Sequence, residues 1–478
     1  MKKKLVALLS DRKILLVVAL FLIGTFLRFY RLSDFVTFLG DQGRDAIVLK
    51  RILTFEHLPA IGAPTSVGQI YLGPFYYYFI APWLLLFRFD PIGPAIGVAF
   101  FSSLFILVNY FLVKDLVNEK VALISSVLIT FSTTLIELSR FSWNPNLLPL
   151  FTLLMTYFLV KSVQTQKWYY YVATGAFLSF SIQLHYLALF LIPPVVIYFA
   201  RGNKQTLLGA FYSFLSFVVC SLPLLIFDLR HDFLNSRNFL ALFKQSGDVT
   251  ATNKLKEIYT AFLRLNQFIF NTEFSAFFLI GLLSLVIVLA FVNIKKPTRI
   301  SVFLLFFLFT LFGIALYSGP KYPHYFGSVY PFYLTILAFL LSYLLRPRFG
   351  LSLLSLFVLL FIFFNSRDYR FFYEGGSKQI KKAKEIAQLI QPHIASAKYT
   401  VTALPHQYSD STYRYFLEVW GKRPIEKDSL ERADELFVVC EEDCKPIGNP
   451  QWDIAYFAPT KTAGVWKTDD VTIYKLTR

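Results

Sequence analysis

Two carboxylates one helical turn apart, Asp41 and Asp45, flank Arg44 in the stretch Gly40-Asp41-Gln42-Gly43-Arg44-Asp45, directly after the first long apolar segment. A carboxylate at a bilayer edge is costly unless it is hydrated, paired or used, so this stretch marks a functional site by default. The plainer reading is that Arg44 and Asp45 open a surface helix with a local ion pair. Four further polar stretches interrupt the apolar sequence: Arg140-Phe141-Ser142-Trp143-Asn144-Pro145-Asn146, Gln183-Leu184-His185-Tyr186, Phe227-Asp228-Leu229-Arg230-His231-Asp232 and Lys321-Tyr322-Pro323-His324-Tyr325. Taken singly they are weak signals, since His185 could cap a helix end and Trp143 could anchor at the membrane interface. Brought to one membrane face, their carboxylates, imidazoles and cations are the equipment of an active site.

Whether they meet depends on topology. The chain has 478 residues, 56% hydrophobic, 18% aromatic and 16% charged, with a mean hydropathy of +0.53, which places it among polytopic membrane proteins. Its formal charge of +17 does not point to nucleic acid, because Lys and Arg sit in short clusters between apolar segments, as in cytoplasmic loops. Lys2, Lys3, Lys4, Arg12 and Lys13 put the N-terminus in the cytoplasm, and no small-residue cleavage site follows, so 14–32 is expected to stay as an uncleaved first span. Residues 45–58 carry the pattern of a short interfacial helix.

The pairs Lys114 and Lys120, Lys161 and Lys167, and Arg201 and Lys204 all belong in the cytoplasm by the same rule, as do Lys295, Lys296 and Arg299, and Arg346 and Arg348. Further spans then fall near 92–113, 121–138, 146–161, 168–184, 186–200, 206–227, 274–293, 300–317, 329–345 and 350–364, about eleven in all. The apolar run 73–89, short and carrying two prolines, must lie on or dip into the outer face for the count to close. The run 168–200 must turn tightly at Gln183-Leu184-His185-Tyr186. All five polar stretches then share the outer side.

After Phe364 the composition turns mixed and polar, dividing the chain into a membrane domain, 1–364, and an extracytoplasmic α/β domain, 365–478. Helices are expected at 377–394 and 409–420, and strands at 399–404, 435–440, 464–467 and 471–476. Outside the membrane, Cys440 and Cys444 could close a local disulfide, while Cys220 sits in an apolar span as a core residue. The segment offers too few ligands for zinc, and nothing resembles a phosphate-cradling glycine loop or a Gly-x-Ser-x-Gly elbow. The outer acids and histidines could hold a divalent ion but carry no metal-ligand spacing, so no cofactor is expected.

The order of Gly40-Asp41-Gln42-Gly43-Arg44-Asp45, the aromatic run Tyr71-Leu72-Gly73-Pro74-Phe75-Tyr76-Tyr77-Tyr78, Arg140 to Asn146 and Gln183 to Tyr186 resembles bacterial C-type membrane glycosyltransferases. The nearest relatives are the protein O-mannosyltransferase and aminoarabinose transferase group. The likeness spans roughly residues 14 to 345. It implies a membrane fold with an acidic residue in the first outer loop, juxtamembrane helices after it, and a polyprenyl-phosphate sugar as donor. Asp41 matches the acidic position. Many members carry Asp-Glu there, whereas this chain has Asp41-Gln42, leaving Asp45 to supply any second acid.

Such a transfer needs a base at the acceptor oxygen and cations on the departing phosphate. The resemblance makes Asp41 the base, Lys321 and Arg140 the first choices for the phosphate, and His324 and Arg230 the next. Arg44, Asn144 and His185 join the substrate-binding set, and Tyr322, Tyr325 and Trp143 would line the sugar or isoprenoid groove. The acceptor would be a lipid, glycan or protein, at a bacterial plasma membrane. Two rivals remain. A lipid or sugar transporter would show an inverted repeat or ionisable residues at the bilayer midplane, and a receptor would work through its outer tail alone.

Overall fold

The computed structural model describes residues 12–65, 69–245, 254–295, 298–317, 319–405, 409–427, 429–468 and 471–478. Lys2, Lys3, Lys4 and Lys296, used above to set topology, lie outside them. The chain is mostly helical. Its elements begin α1 (Arg12–Phe29), α2 (Leu32–Phe35), α3 (Gly40–Leu53), α4 (Phe75–Leu86), α5 (Ile92–Leu116), α6 (Glu119–Phe131), α7 (Thr133–Leu138), α8 (Leu148–Thr165), α9 (Trp168–Leu184) and α10 (Ile192–Ala200). They continue with α11 (Lys204–Arg230), α12 (Leu234–Gln245), α13 (Lys254–Phe270), α14 (Ala276–Lys295), α15 (Ser301–Leu316), α16 (Tyr330–Ser342) and α17 (Gly350–Ser366).

Among the described residues, four helices, Ile92–Leu116, Asn144–Thr165, Lys204–Arg230 and Ala276–Asn293, are long and apolar enough to cross a membrane, and five further apolar helices are shorter. Along α11, Leu208 is 63% and Phe214 62% exposed, so the helix turns to its surroundings an apolar face that lipid, not water, must cover. Inside the bundle, α9 packs on both α8 and α11, and α6 lies against α5 and α16. Where apolar contacts alone give little driving force, polar side chains bridge the helices: the Asn109 amide of α5 donates to Ser125 Oγ at 2.8 Å and Ser126 Oγ at 3.1 Å on α6.

Three expectations change. The span at 121–138 is broken at Ser132 into α6 and α7, with the Thr133 N–H taken by Asn365 Oδ1 at 2.8 Å. Two helices, α12 and α13, lie between the spans expected at 206–227 and 274–293, where no element was assigned. α13 is amphipathic, burying Ala261, Phe262, Leu265 and Ile269 behind an exposed face that keeps it below any hydropathy threshold. Finally, the acidic stretch is not a loop preceding an interfacial helix. α3 starts at Gly40, where Gln42 Oε1 accepts from the Leu39 N–H at 3.1 Å and so satisfies one donor at the helix start.

The tail is an α/β unit of α18 (Gln379–Ile390), β1 (Tyr399–Leu404), α19 (Asp410–Val419), β2 (Glu435–Cys440), α20 (Trp452–Phe457), β3 (Lys461–Lys467) and β4 (Thr472–Thr477). The sheet order is β1-β2-β4-β3, with β1 and β2 parallel and the other pairs antiparallel. All four expected strands are present, Cys440 and Cys444 are disulfide-bonded, and α20 is additional.

The tail is laced to the membrane domain. Arg31 donates to the carbonyls of Phe371, Glu374 and Gly375, and the Lys378 N–H donates to Asp34 O at 2.9 Å. Between these bonds Gly376 has φ +79, and a Cβ there would sit 2.5 Å from Asp34 O, so both conformation and space require glycine. Farther along, α19 packs against α3.

Candidate active site

The first two turns of α3 hold one guanidinium between two carboxylates. Arg44 Nη1 donates to Asp41 Oδ1 at 2.8 Å, while Nε at 3.0 Å and Nη2 at 2.8 Å both donate to Asp45 Oδ1. The side chains grade from outside to inside: Asp41 is 50% exposed, Arg44 31% and Asp45 2%. The Tyr77 hydroxyl adds a bond to Asp45 Oδ1 at 2.9 Å, but buried Asp45 Oδ2 has no partner. Burial pushes the Asp45 carboxyl above the usual range against the pull of Arg44. Burial disfavours the Arg44 charge as well, yet Asp45, Tyr77 and Asp41 together raise its proton affinity. Arg44 is thus a permanent cation that fixes the Asp41 carboxylate at the rim.

α4, built from the aromatic run, joins this triad to the second polar stretch. Tyr76, next to Tyr77, shares a 2.6 Å hydrogen bond with Ser142 Oγ. The Phe75 N–H meets Gln183 Oε1 at 3.2 Å, and the Tyr71 N–H meets Asn235 Oδ1 at 2.7 Å, so residues 71–75 tie down both the third stretch and α12. Asn144 Nδ2 donates to Leu184 O at 2.6 Å, which locks the second stretch to the third. Asp228 caps the start of α12 through the Asn235 N–H at 2.7 Å.

Beside Ser142, rings from three stretches come together. Trp143 lies 4.4 Å from His324, His324 4.4 Å from Tyr325, and His185 6.0 Å from His324 and 5.5 Å from Tyr325, while Tyr322 stacks on His324 at 5.9 Å. His185 is the tight turn expected between α9 and the next helix, its Nδ1 accepting from the Leu187 N–H at 3.2 Å. Burial lowers the proton affinity of both imidazoles, and in His185 the neighbouring His324 adds to the effect. A histidine with a lowered folded-state pKa favours the neutral form, so its stability contribution is lost as pH falls through its unfolded value near 6.5. The thermal midpoint of the purified protein is therefore expected to drop between pH 7 and 5, and His324→Gln is expected to flatten that drop. An unchanged slope would place the pH sensitivity elsewhere.

Lys321 lies at the edge of this cluster, buried to 3% exposure, with Nζ donating to Glu257 Oε2 at 2.7 Å and to Tyr317 O at 3.0 Å. An ammonium has three N–H groups, and these bonds use two. Glu257, on α13, was missed in the sequence because its helix was. Arg230 is exposed at the end of α11.

Arg140 is placed otherwise than expected. Its guanidinium donates to the carbonyls of Leu27 at 2.9 Å, Arg28 at 3.1 Å and Tyr30 at 2.8 Å, and lies 4.4 Å over the Phe371 ring. The end of α1 leaves carbonyls without intrahelical partners, and this arginine satisfies them, so its charge is spent as a brace between α1 and the tail. Arg140→Ala should cost about 3 kcal/mol, since charge-assisted bonds contribute about 1.5–3 kcal/mol and their loss strands buried acceptors. Thermal unfolding in detergent measures this. A change within error would show that the carbonyls find other donors. Among the described residues, no three His, Cys, Asp or Glu side chains gather as a metal centre.

Residues 72–227, about a third of the chain, match the dolichyl-phosphate-mannose-protein mannosyltransferase family. No curated protein sequence matches the chain. Among solved structures, it is similar to ArnT from Cupriavidus metallidurans bound to undecaprenyl phosphate, with TM-score 0.62 and 13% identity over 98% of each chain. It is also similar to the oligosaccharyltransferase AglB from Archaeoglobus fulgidus in complex with an inhibitory peptide and a dolichol-phosphate, with TM-score 0.55 and 14% identity over 88% of this chain and 65% of AglB. The mannosyltransferase pattern across the helices that hold the second and third polar stretches, within a fold shared with ArnT end to end, makes this a membrane protein of the C-type glycosyltransferase fold.

Proposed function

We propose that the protein transfers a sugar from a polyprenyl-phosphate donor to a hydroxyl acceptor at the outer face of the membrane, with Asp41 as the base. The observation that carries this is the Arg44 bridge: a half-exposed carboxylate held in place by a cation that a buried carboxylate, itself bonded by Tyr77, holds in turn. The acceptor O–H gives its proton to Asp41 as its oxygen bonds to the sugar's anomeric carbon. The bond from that carbon to phosphate oxygen breaks, and polyprenyl phosphate leaves with the electron pair. Direct displacement inverts the anomeric centre.

Lys321 meets the departing phosphate through its third N–H, beside His324 and Tyr325, and Trp143, Tyr322 and His185 line the sugar and isoprenoid path. Two of the structures that share the fold hold a polyprenyl phosphate, which supports this donor class. The topology proposed with it has eleven spans, a cytoplasmic N-terminus and an outer tail. Reconstituted protein given a panel of polyprenyl-phosphate sugars should release free polyprenyl phosphate, and a reporter after Arg478 should read extracytoplasmic. Facilitated passage of the donor across the bilayer without release would establish a transporter instead.

A further inference from the structure

A cavity of about 430 Å³ lies where the membrane domain meets the tail, lined by Phe38 and Leu39 on one side and by α18, α19 and the end of β2 on the other. It is not one of the five polar stretches, and the ring cluster does not border it. Its tail wall includes Glu441, just past the carboxyl end of β2, one of the two parallel strands, at the side of the sheet where open α/β folds hold ligands, and Thr468 and Val471 between β3 and β4. Its membrane wall ends at Leu39, two residues before Asp41, a separation of at most about 7 Å along the backbone.

The lining mixes apolar side chains, among them Leu39, Ala383, Ile386 and Val471, with polar groups that are held in place. Glu441 follows Cys440 at the end of β2, on a segment closed by the Cys440–Cys444 disulfide, and its N–H continues the ladder to Leu404 O at 2.9 Å. Glu441 Oε1 accepts from Ser409 Oγ at 2.8 Å and from the Tyr413 hydroxyl at 3.5 Å. Gln379 braces the opposite wall by accepting from the Phe38 N–H at 2.7 Å, and Lys382 and Glu385 stand at the rim of α18. Carboxylates, an amide, an ammonium and hydroxyls set among apolar and aromatic side chains suit a ligand that carries many hydroxyls on an apolar ring. Acyl chains would require a continuous apolar wall. An extended peptide would require a free strand edge, and this cavity opens at strand ends.

We infer that this cavity is the acceptor site and that it takes a saccharide, with Glu441 binding its hydroxyls and Asp41 two residues beyond its Leu39 wall. The inference rests on the transferase reading, and its test separates the two. Full-length protein in detergent, fluorescently labelled, is applied to an array of neutral and acidic oligosaccharides and to an array of peptides, and undecaprenyl phosphate binding is measured on the same preparations. Retention on a subset of saccharides, lowered at least 10-fold by Glu441→Gln, with undecaprenyl phosphate bound equally by both proteins, is the expected result. Undecaprenyl phosphate binding with no saccharide retained, with retention indifferent to Glu441→Gln, or with retention on peptides only, overturns the acceptor assignment alone. Absence of undecaprenyl phosphate binding in the wild type overturns the transferase reading and this inference with it.

Discussion

Asp41→Asn is expected to lower sugar transfer by about 10²–10⁴-fold while leaving the protein folded and able to bind polyprenyl phosphate, because the amide keeps size and one acceptor oxygen but cannot take a proton. Its bond from Arg44 Nη1 can persist at the amide oxygen, so the loss reads as chemistry and not as misplacement. Asp45→Asn should behave differently. Asp45 is buried, bonds Arg44 twice and Tyr77 once, and stands behind the reacting group. Removing its charge leaves Arg44 with only Asp41 as counter-ion, which loosens the base without deleting it, and about a tenfold loss with changed pH dependence is expected. Turnover and donor affinity measured side by side for the two variants decide the matter. Near-normal transfer by a folded, donor-binding Asp41→Asn protein would end the assignment of Asp41, and equal losses from both would make the two carboxylates one functional unit.

Gly43→Ala should also cost about 10²-fold in transfer, through position alone. A Cβ at Gly43 would lie 2.6 Å from the Ser411 carbonyl carbon and the Thr412 nitrogen, which are backbone atoms at the start of α19 and cannot swing aside. The helix must lift off the tail, at about 1–3 kcal/mol for overpacking, and a base displaced by about 1 Å loses about 10²-fold. Two turns on, Glu418 of α19 accepts from Arg51 Nε at 2.9 Å and Nη2 at 2.7 Å, a bidentate pair that pins the far end of α3. Glu418→Gln keeps the shape and weakens the pin. Because both substitutions loosen one interface, their effects on transfer should not add. Wild-type turnover in a folded Gly43→Ala protein would show that the tail does not hold α3 in its working position.

The positions of most apolar helices were legible because they follow from hydropathy, and the turn at His185 because the 33-residue run from Trp168 to Ala200 exceeds one comfortable span. The tail strands were legible from their alternation and β-branched content. α13 was not, since Lys254, Lys256, Glu257 and Arg264 interrupt its apolar face every turn, although its 3.6-residue period carried the signal. The start of α3 was hidden because Leu39 is not a capping residue, and the cap comes from Gln42. The roles of Arg140 and Lys321 depend on what lies opposite them. A basic residue beside a membrane reads the same in sequence whether it faces a phosphate, three carbonyls or Glu257, and only the folded chain tells these apart.

The bond between Arg51 and Glu418 closes across 367 residues. At synthesis rates of about 5–20 residues per second, roughly 20–70 s separate the appearance of α3 from that of the helix that clamps it. During that interval α3 has its contacts with α4 but lacks those with α19. On the proposed function, the site around Asp41 therefore matures only when α19 has been made and brought beside α3, so a chain truncated before α19 is expected to be inactive in sugar transfer.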